Sequence, residues 1–404
     1  MGSFKMINAK LFCLLLLILL PLSLFAFDWG LLVDQNFQAE GIGDSEPDLI
    51  YSAAVLPWFS TPVMKNGDLY LSAGVSAKYE NDKWYFIPEI FQADFTYYFA
   101  SGEIRLGRMH YSDPLGFVAS GLFDGLSAIF DTSFGTFNAG AWYTGLLYKE
   151  TANITMTTDD LVSYYTEFSY DDFADTYFAS RRVLAAVGWE HPGLGELLRL
   201  NLSLLGQIDV NGRDHWYHSQ YIIARAGLPV QNLFVFDMGG TAGVSQAPDE
   251  FKLSLAGELG LSIFLPTPLQ DRLRIGGIFT SGKYDAIDPF TPVTTVSQGG
   301  VMKAKLSGLS TISLDYTARL HRTFSAGLTS TYFVLSDLGT YAGWPGRRDG
   351  YFLGNEFYCR LIWSPVSDVQ FNLGGGVFIP ALGNADPDEK PKWKLELSAQ
   401  LAIF

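Results

Sequence analysis

The chain reads as an all-β protein, a closed antiparallel transmembrane β-barrel of about eighteen strands, and three observations carry that reading. Beyond residue 27 no apolar stretch approaches the roughly 18 residues of a membrane-crossing helix. Yet apolar residues make up 48% of the chain and aromatic residues 15%, with 41 glycines. What recurs instead is a segment of about 10 to 14 residues of alternating hydrophobicity closed by Gly, Pro, Asn or Asp, the sequence signal of a membrane barrel. The third observation is the C-terminal KWKLELSAQLAIF, 392–404, where Leu395, Leu397, Ala399, Leu401 and Ile403 alternate with more polar residues. A strand ending there needs a partner for its free edge, and pairing with the first strand supplies one.

The chain opens with Lys5 and Lys10 ahead of an apolar run at 11–27, broken late by Pro21 and followed by the small Ala26. That pattern is a secretory signal peptide over 1–26, with the barrel occupying 27–404. Removing it leaves 404 − 26 = 378 residues and a formal charge of 25 − 42 = −17. Of two cysteines only Cys359 then remains, which excludes an intrachain disulfide and a thiol or zinc framework. An acidic chain with no basic stripe is not a nucleic-acid binder.

Taken in order, alternating segments bounded by turn residues fall at 28–37, 49–61, 69–80, 89–99, 103–111, 121–131, 136–149, 179–190 and 197–209. A second set follows at 217–228, 233–245, 250–264, 272–282, 304–320, 323–336, 351–364, 369–381 and 393–404. The count is eighteen, or sixteen if the short early strands merge.

Connection lengths test the count. Bacterial barrels have short periplasmic turns and longer external loops, with both termini periplasmic. After even-numbered strands come KNGD, ASGE, TSFGT, HPGLGE, PVQN, LPTPLQD, HRT and PVSD, all short. After odd-numbered strands come QAEGIGDSEPD, the stretches 150–178 and 283–303, GTYAGWPGRRDG and GNADPDEKPK, with NDKWYFIP, SDPLGFVAS, VNGRDHW and QAPD shorter. No long loop falls on the periplasmic side, so the chain is expected in the bacterial outer membrane.

Alternation also assigns faces, apolar residues to lipid and polar ones to the lumen. Strand 197–209 sends Leu198, Leu200, Leu202 and Leu204 outward and Arg199 inward. The same phasing places Lys78, Arg105, Arg182, Lys252, Glu258, Arg272, Arg274, Asp315, Arg319, Glu356 and Arg360 on the pore wall. Nine lumen bases stand against six acids, Asp94, Glu190 and Asp209 completing the acidic set, while Arg108 is out of phase with Arg105. A wall leaning basic in an acidic chain predicts anion selectivity, as charged rings set in other pores. The alternative is structural pairing, Arg360 with Glu356 for example.

The stretch 150–178 holds seven acids, four tyrosines and three phenylalanines and no Lys or Arg. Its carboxylates lack calcium-loop spacing, so it reads as a surface loop that partly folds over the pore mouth. No nucleophile elbow, phosphate loop, H-E-x-x-H or CxxC pattern is present, and no cofactor, metal or catalytic residue is expected. The competing enzymatic reading uses Asp159-Asp160 with Asp214-His215, an arrangement found in omptin-type proteases; a structural or adhesive barrel is another. His215 and His218, at i and i+3 in a strand, point to opposite faces and make a poor metal pair.

Two stretches carry a family resemblance. FLGNEFYCRLIWSPVSDVQFNLGGGVFIPALG, 352–383, resembles the penultimate hairpin of the alginate-export outer-membrane channels, through Gly354 and Glu356, Trp363 and Pro365, Gly374 to Gly376, Phe378 and Pro380. IRLGRMHYSDPLGFVASGLFDGLSAIF, 104–130, is similar to the family's Gly-Arg strand and Asp-Gly pair at Gly107, Arg108, Asp124 and Gly125. The resemblance implies an 18-stranded monomeric channel with a cationic lumen, carrying an anionic solute or polysaccharide. Expected partners are the membrane lipid and the barrel assembly machinery, which reads the C-terminal strand. Phe404 departs from the usual signal, since the outward phase ends on Ile403.

Overall fold

The computed structural model describes residues 27–80, 82–195, 197–212, 216–248, 250–339 and 350–404, so the leader at 1–26 lies outside the described residues. Its first strands are β1 (Asp28–Ile42), β2 (Asp48–Met64), β3 (Gly67–Glu80), β4 (Lys83–Phe99), β5 (Gly102–Ser112), β6 (Ser120–Thr132), β7 (Gly135–Tyr143), β8 (Arg182–Leu194) and β9 (Leu198–Asp209). There follow β10 (His218–Val230), β11 (Phe234–Ala247), β12 (Glu250–Phe264), β13 (Arg272–Thr280), β16 (Leu309–His321), β17 (Phe324–Leu335), β18 (Phe352–Val366), β19 (Val369–Ile379) and β20 (Lys392–Ile403). These make one 18-stranded sheet, while β14 (Ser297–Gln298) and β15 (Ala304–Lys305) form a separate two-stranded ladder.

The barrel closes. β20 pairs with β1 from Leu31↔Ile403 to Ile42↔Lys392 and with β19 on its other edge, without a register shift in either ladder. The expected outward phase holds, with Leu395, Leu397, Leu401 and Ile403 exposed toward lipid. Phe404 follows the strand in the opposite, inward phase and meets Trp58 edge-on at 6.0 Å, and Trp58 in turn stacks on Tyr70. No bulge is needed to place it: the terminal ring belongs to an inner aromatic rim.

The two ends of the barrel differ as the connection lengths require. At the end carrying both described termini the turns are 65–66, 100–101, 133–134, 195–197, 231–233, 265–271, 322–323 and 367–368. The other end carries 144–181 and 281–308. A closed, even-stranded barrel with exposed Leu, Phe and Trp around its outside belongs in the bacterial outer membrane, with the short turns periplasmic.

Among the strand limits that differ from the sequence reading, three have a local physical cause. The segment 136–149 ends as a strand at Tyr143, because Thr144 turns inward to donate to the Ser180 carbonyl (2.6 Å) and Lys149 starts a short helix, α1 (Lys149–Ala152). The segment 304–320 becomes β16 only at Leu309, since Lys303 (φ 47°) and Gly308 (φ 65°) interrupt the extended run. Conversely, β4 starts at Lys83 within NDKWYFIP, where exposed Trp84 and Phe86 continue the outward alternation.

The two long loops go inside. Phe290, Val293 and Leu306 of 281–308 have no exposed surface and pack on Phe123, Trp142, Leu184, Leu205 and Ile223 of the inner wall, with Phe117 and Val118 of 113–119. Burying each such side chain contributes roughly 1.5–3 kcal/mol. Backbone bonds tie the loops together: the Val293 N–H donates to the Val118 carbonyl (2.7 Å) and the Thr295 N–H to the Asn153 carbonyl (2.9 Å). The acidic stretch forms α1, α2 (Thr158–Tyr165) and α3 (Phe173–Tyr177), and Tyr148 and Tyr177 pack on Ile87 of β4. It thus covers the mouth, as its aromatic content suggested.

Candidate functional site: a partitioned lumen

Residues 297–305, here termed the strap, divide the lumen. Above it, toward the external end, lies a cavity of about 950 Å³ whose lining includes Lys78, Lys303, Lys305, Lys392, Tyr85, Tyr148, Tyr164 and Tyr165. Below it lies one of about 470 Å³ lined by Arg274, Asp315, Tyr358, Arg360 and the strap's own Gly299 and Gly300.

Glu356 pins the strap to β18. Its carboxylate accepts from the backbone N–H groups of Gly300 (2.6 Å), Val301 (3.1 Å) and Met302 (2.9 Å). The residue is 1% exposed, so these are buried charge-assisted bonds. The strap approaches closely because position 299 is glycine: its φ is +80° and a Cβ there would sit 2.6 Å from Glu356 Oε2. Glu356 was expected on the pore wall, with pairing to Arg360 as the structural alternative; its partners are the strap amides instead. Strap residues also reach β1, three strands round the ring from β18, with Lys303 Nζ lying 2.9 Å from Glu40.

Lys305 donates to the carbonyl and hydroxyl of Thr155, the latter at 3.2 Å. Burial lowers its ammonium pKa to about 8, against the opposing attraction of Asp160. Asp113 holds the neighbouring loop, its two oxygens accepting from the N–H groups of Leu115, Gly116, Val118 and Ala119 at 2.8–3.1 Å. Burial raises that carboxyl above its ordinary value while the four amides oppose the shift.

Of the nine predicted lumen bases, four have carboxylate partners. Lys78 lies 2.8 Å from Glu80 and 3.0 Å from Glu150. Arg105 lies 3.1 Å from Glu103 and 3.7 Å from Asp94, and Lys252 3.9 Å from Asp288. Arg182 is fully buried, 2.6 Å from Asp160 and 3.2 Å from Asp209, and it donates to the Tyr217 carbonyl at 2.9 Å. It therefore joins the wall to α2 and is covered from the lumen. Removing one member of such a cluster leaves a buried charge uncompensated, at a cost of about 3–5 kcal/mol.

The other five, Arg199, Arg272, Arg274, Arg319 and Arg360, form no close salt bridge among the described residues, although Arg274 lies within electrostatic reach of Glu258 and Arg360 of Glu396. Arg319 donates to the Arg322 carbonyl at 3.0 Å, and Arg360 lies beside Tyr358. The acids that might have held them are engaged elsewhere. Glu258 pairs with Arg225 at 3.2 Å, and Asp315 accepts from the hydroxyls of Ser313 (3.0 Å) and Thr329 (2.9 Å). All five sit on β9, β13, β16 and β18, and Arg199, Arg272, Arg274 and Arg319 lie near the periplasmic ends of their strands.

Arg108, out of phase by sequence, makes a two-pronged bond to Asp124 across β5 and β6, at 2.8 Å on each prong. The residues carrying the Gly-Arg and Asp-Gly resemblance are thus one structural ion pair. Asp160 caps α2 and binds Arg182, so Asp159-Asp160 is no water-activating pair. Asp214 and His215 lie outside the described residues. His218 accepts the Asp209 N–H at 3.0 Å and stacks on Trp216, and no cluster of metal-ligating side chains occurs among the described residues.

No family model matches the chain, and no curated protein matches it. Solved structures do. Pseudomonas aeruginosa OccK2 (OpdF) in complex with glucuronate superposes with a TM-score of 0.61 over 93% of this chain and 96% of that one, at 12% identity. OccK5 (OpdH) of the same organism gives 0.58 over 94% and 98%, also at 12% identity. OpdK with vanillate gives 0.58 over 93% and 99%, at 10% identity. The fold is that of an 18-stranded outer-membrane porin. At these identities the likeness is one of fold, and the porin architecture covers nearly the whole chain. The alginate-export likeness read from 352–383 and 104–130 finds no counterpart among these matches.

Proposed function

We propose that the chain is a non-enzymatic outer-membrane channel for small hydrophilic anions, acidic sugars among them. The observation that carries the reading is the arginine arc on β9, β13, β16 and β18, none of whose members forms a close salt bridge among the described residues. Arginines at the wall of a water-filled path raise the local concentration of anions and repel cations. The glucuronate bound to OccK2 and the vanillate bound to OpdK support the view that this architecture admits small carboxylates. A strap pinned to β18 and β1 favours a small solute over the polysaccharide implied by the alginate-export resemblance. The barrel would act as a monomer, inserted by the assembly machinery through β20.

The test is ion selectivity in planar bilayers. Wild-type channels should conduct chloride better than potassium at low salt. The preference should shrink as the Debye length falls from about 10 Å at 0.1 M to about 3 Å at 1 M. Neutralising Arg199 and Arg274 together, as Arg199→Gln and Arg274→Gln, should move the reversal potential toward cation selectivity while the barrel stays folded, because lumen substitutions tune selectivity. A double variant with unchanged reversal potential would retire the anion channel in favour of a weakly selective porin.

A further inference from the structure

We infer that the wall formed by β19, β20, β1 and β2 is a hydroxyl-binding subsite, so that the channel selects polyhydroxylated acids over aryl acids. The inference rests on the anion-channel reading and adds to it the chemistry of the solute's uncharged part.

Strand register puts Asn372, Ser398, Asn36 and Ser52 in one continuous inward row across these strands. The next row holds Gln400 and Asp34. Asn36, Ser52, Ser398, Gln400 and Asp34, with Ser76 of β3, surround a recess of about 290 Å³ whose remaining lining is two alanines, so it presents neither a ring nor a branched aliphatic side chain. Part of the row is internally bonded: Asn372 Nδ2 donates to Ser398 Oγ at 2.9 Å and Gln400 Nε2 to Asp34 Oδ2 at 3.3 Å. Part is open. Asn36 Oδ1 is buried with no hydrogen bond, and the Ser52 and Ser76 hydroxyls have no partner among the described residues.

Amides and hydroxyls each donate and accept, so they can exchange bound water one for one with the hydroxyls of a sugar acid. An aryl face laid on the same wall strips that water and leaves polar groups unpaired, which is costly for each group. The recess is also well placed. β1 lies 10 − 1 = 9 strands from β10, half-way round the eighteen-stranded ring, so across the lumen it faces Arg199 of β9, the strand beside β10. A solute can therefore hold its carboxylate toward the arginines and its hydroxyls toward Asn36 and Ser52.

The experiment compares glucuronate with benzoate, each against chloride, in bi-ionic reversal-potential measurements on the full-length channel. Sieving by size alone favours the smaller benzoate, so the expected order is diagnostic. Glucuronate should permeate better by about tenfold, the equivalent of 1.4 kcal/mol. Replacing Asn36→Leu with Ser398→Ala should erase or invert that order, and heat-modifiable gel migration will confirm that the variant is folded. Benzoate permeating as well as glucuronate through the wild type, with chloride still preferred over potassium, overturns this inference and leaves the anion channel standing. Absence of chloride preference in the wild type overturns both.

Discussion

Glu356→Gln is the sharpest test of the partitioned lumen. The carboxylate meets three backbone N–H groups with two acceptor oxygens, at 2.6, 3.1 and 2.9 Å. Glutamine keeps one carbonyl oxygen and puts an NH₂ where Oε2 or Oε1 stood. If it keeps the acceptor beside Gly300, it faces the donors of Val301 and Met302 with another donor. If it turns the acceptor to Val301 and Met302 instead, only the Gly300 bond is lost, so the low end is one bond to a charged acceptor, about 1.5 kcal/mol. That shifts the balance between a seated and a released strap by about tenfold or more. The second tether compensates little, because Lys303 and Glu40 are 42% and 34% exposed and such pairs contribute about 0–1 kcal/mol. The rest of the loop stays seated on Phe290, Val293 and Leu306, so only the strap moves.

Single-channel recording in planar bilayers reads the change directly. Glu356→Gln should show a higher mean conductance and frequent transitions between conductance levels, where the wild type is quieter. Thermal unfolding of the barrel should be little altered, since the ladders of β18 with β17 and β19 do not involve this side chain. Identical conductance and noise in variant and wild type would refute the claim that Glu356 holds a partition across the path.

Two further outcomes follow from the same structure. Lys305 has a pKa lowered to about 8, so between that pH and the ordinary lysine value the unfolded chain holds a proton that the folded lid does not; seating of the lid should strengthen as pH rises through this window, and anion selectivity should fall as the charge is lost. Reversal potentials from pH 7 to 10 should show a step in wild type that Lys305→Met removes; a step that persists in the variant rejects this assignment. The mature protein should begin at or within a few residues of Phe27, and N-terminal sequencing that returns Met1 from an inner-membrane fraction would replace the signal peptide with an anchor.

The barrel was legible because every strand faces two solvents. Leu395, Leu397 and Leu401 read as one face wherever the chain is cut, and the short turns at 65–66 or 322–323 mark its reversals. The inward loops were hidden because their apolar residues have no period. Phe290, Val293 and Leu306 pack on a wall that itself looked like lumen, and Leu184, Leu205 and Ile223 share the polar phase of their strands. Alternation assigns the charged residues to a face, but it cannot say what reaches them across the lumen. Arg182 and Glu356 look alike in phase to Arg199 and Arg274. They differ because α2 and the strap descend on the first two. The one sequence signal that could have found the strap is the adjacent pair Gly299–Gly300, where a close backbone approach needs the missing side chains.

The distribution of charge along the pore follows from where the loops end. A loop buried inside a barrel has no ladder for its N–H groups, and buried amides need acceptors. Carboxylates supply them: Glu356 for 300–302, Asp113 for 115–119, and Asp160 for the first turn of α2. These acids are committed to backbone, or to buried Arg182, within the external half. Toward the periplasmic ends of β9, β13 and β16, where the connections are short, Arg199, Arg272, Arg274 and Arg319 form no close salt bridge among the described residues. An acidic chain can thus have a basic exit. The two layers should then be separable. Loosening Glu356 changes how often the path is open while leaving the sign of selectivity to the arginines, and neutralising Arg199 and Arg274 changes the sign while leaving the strap seated. Effects of distant sites with no shared partners add. A triple variant should therefore combine the Glu356→Gln conductance with the reversal potential of the double arginine variant, and a strong departure from that sum would mean that the strap and the arginine arc form one coupled gate.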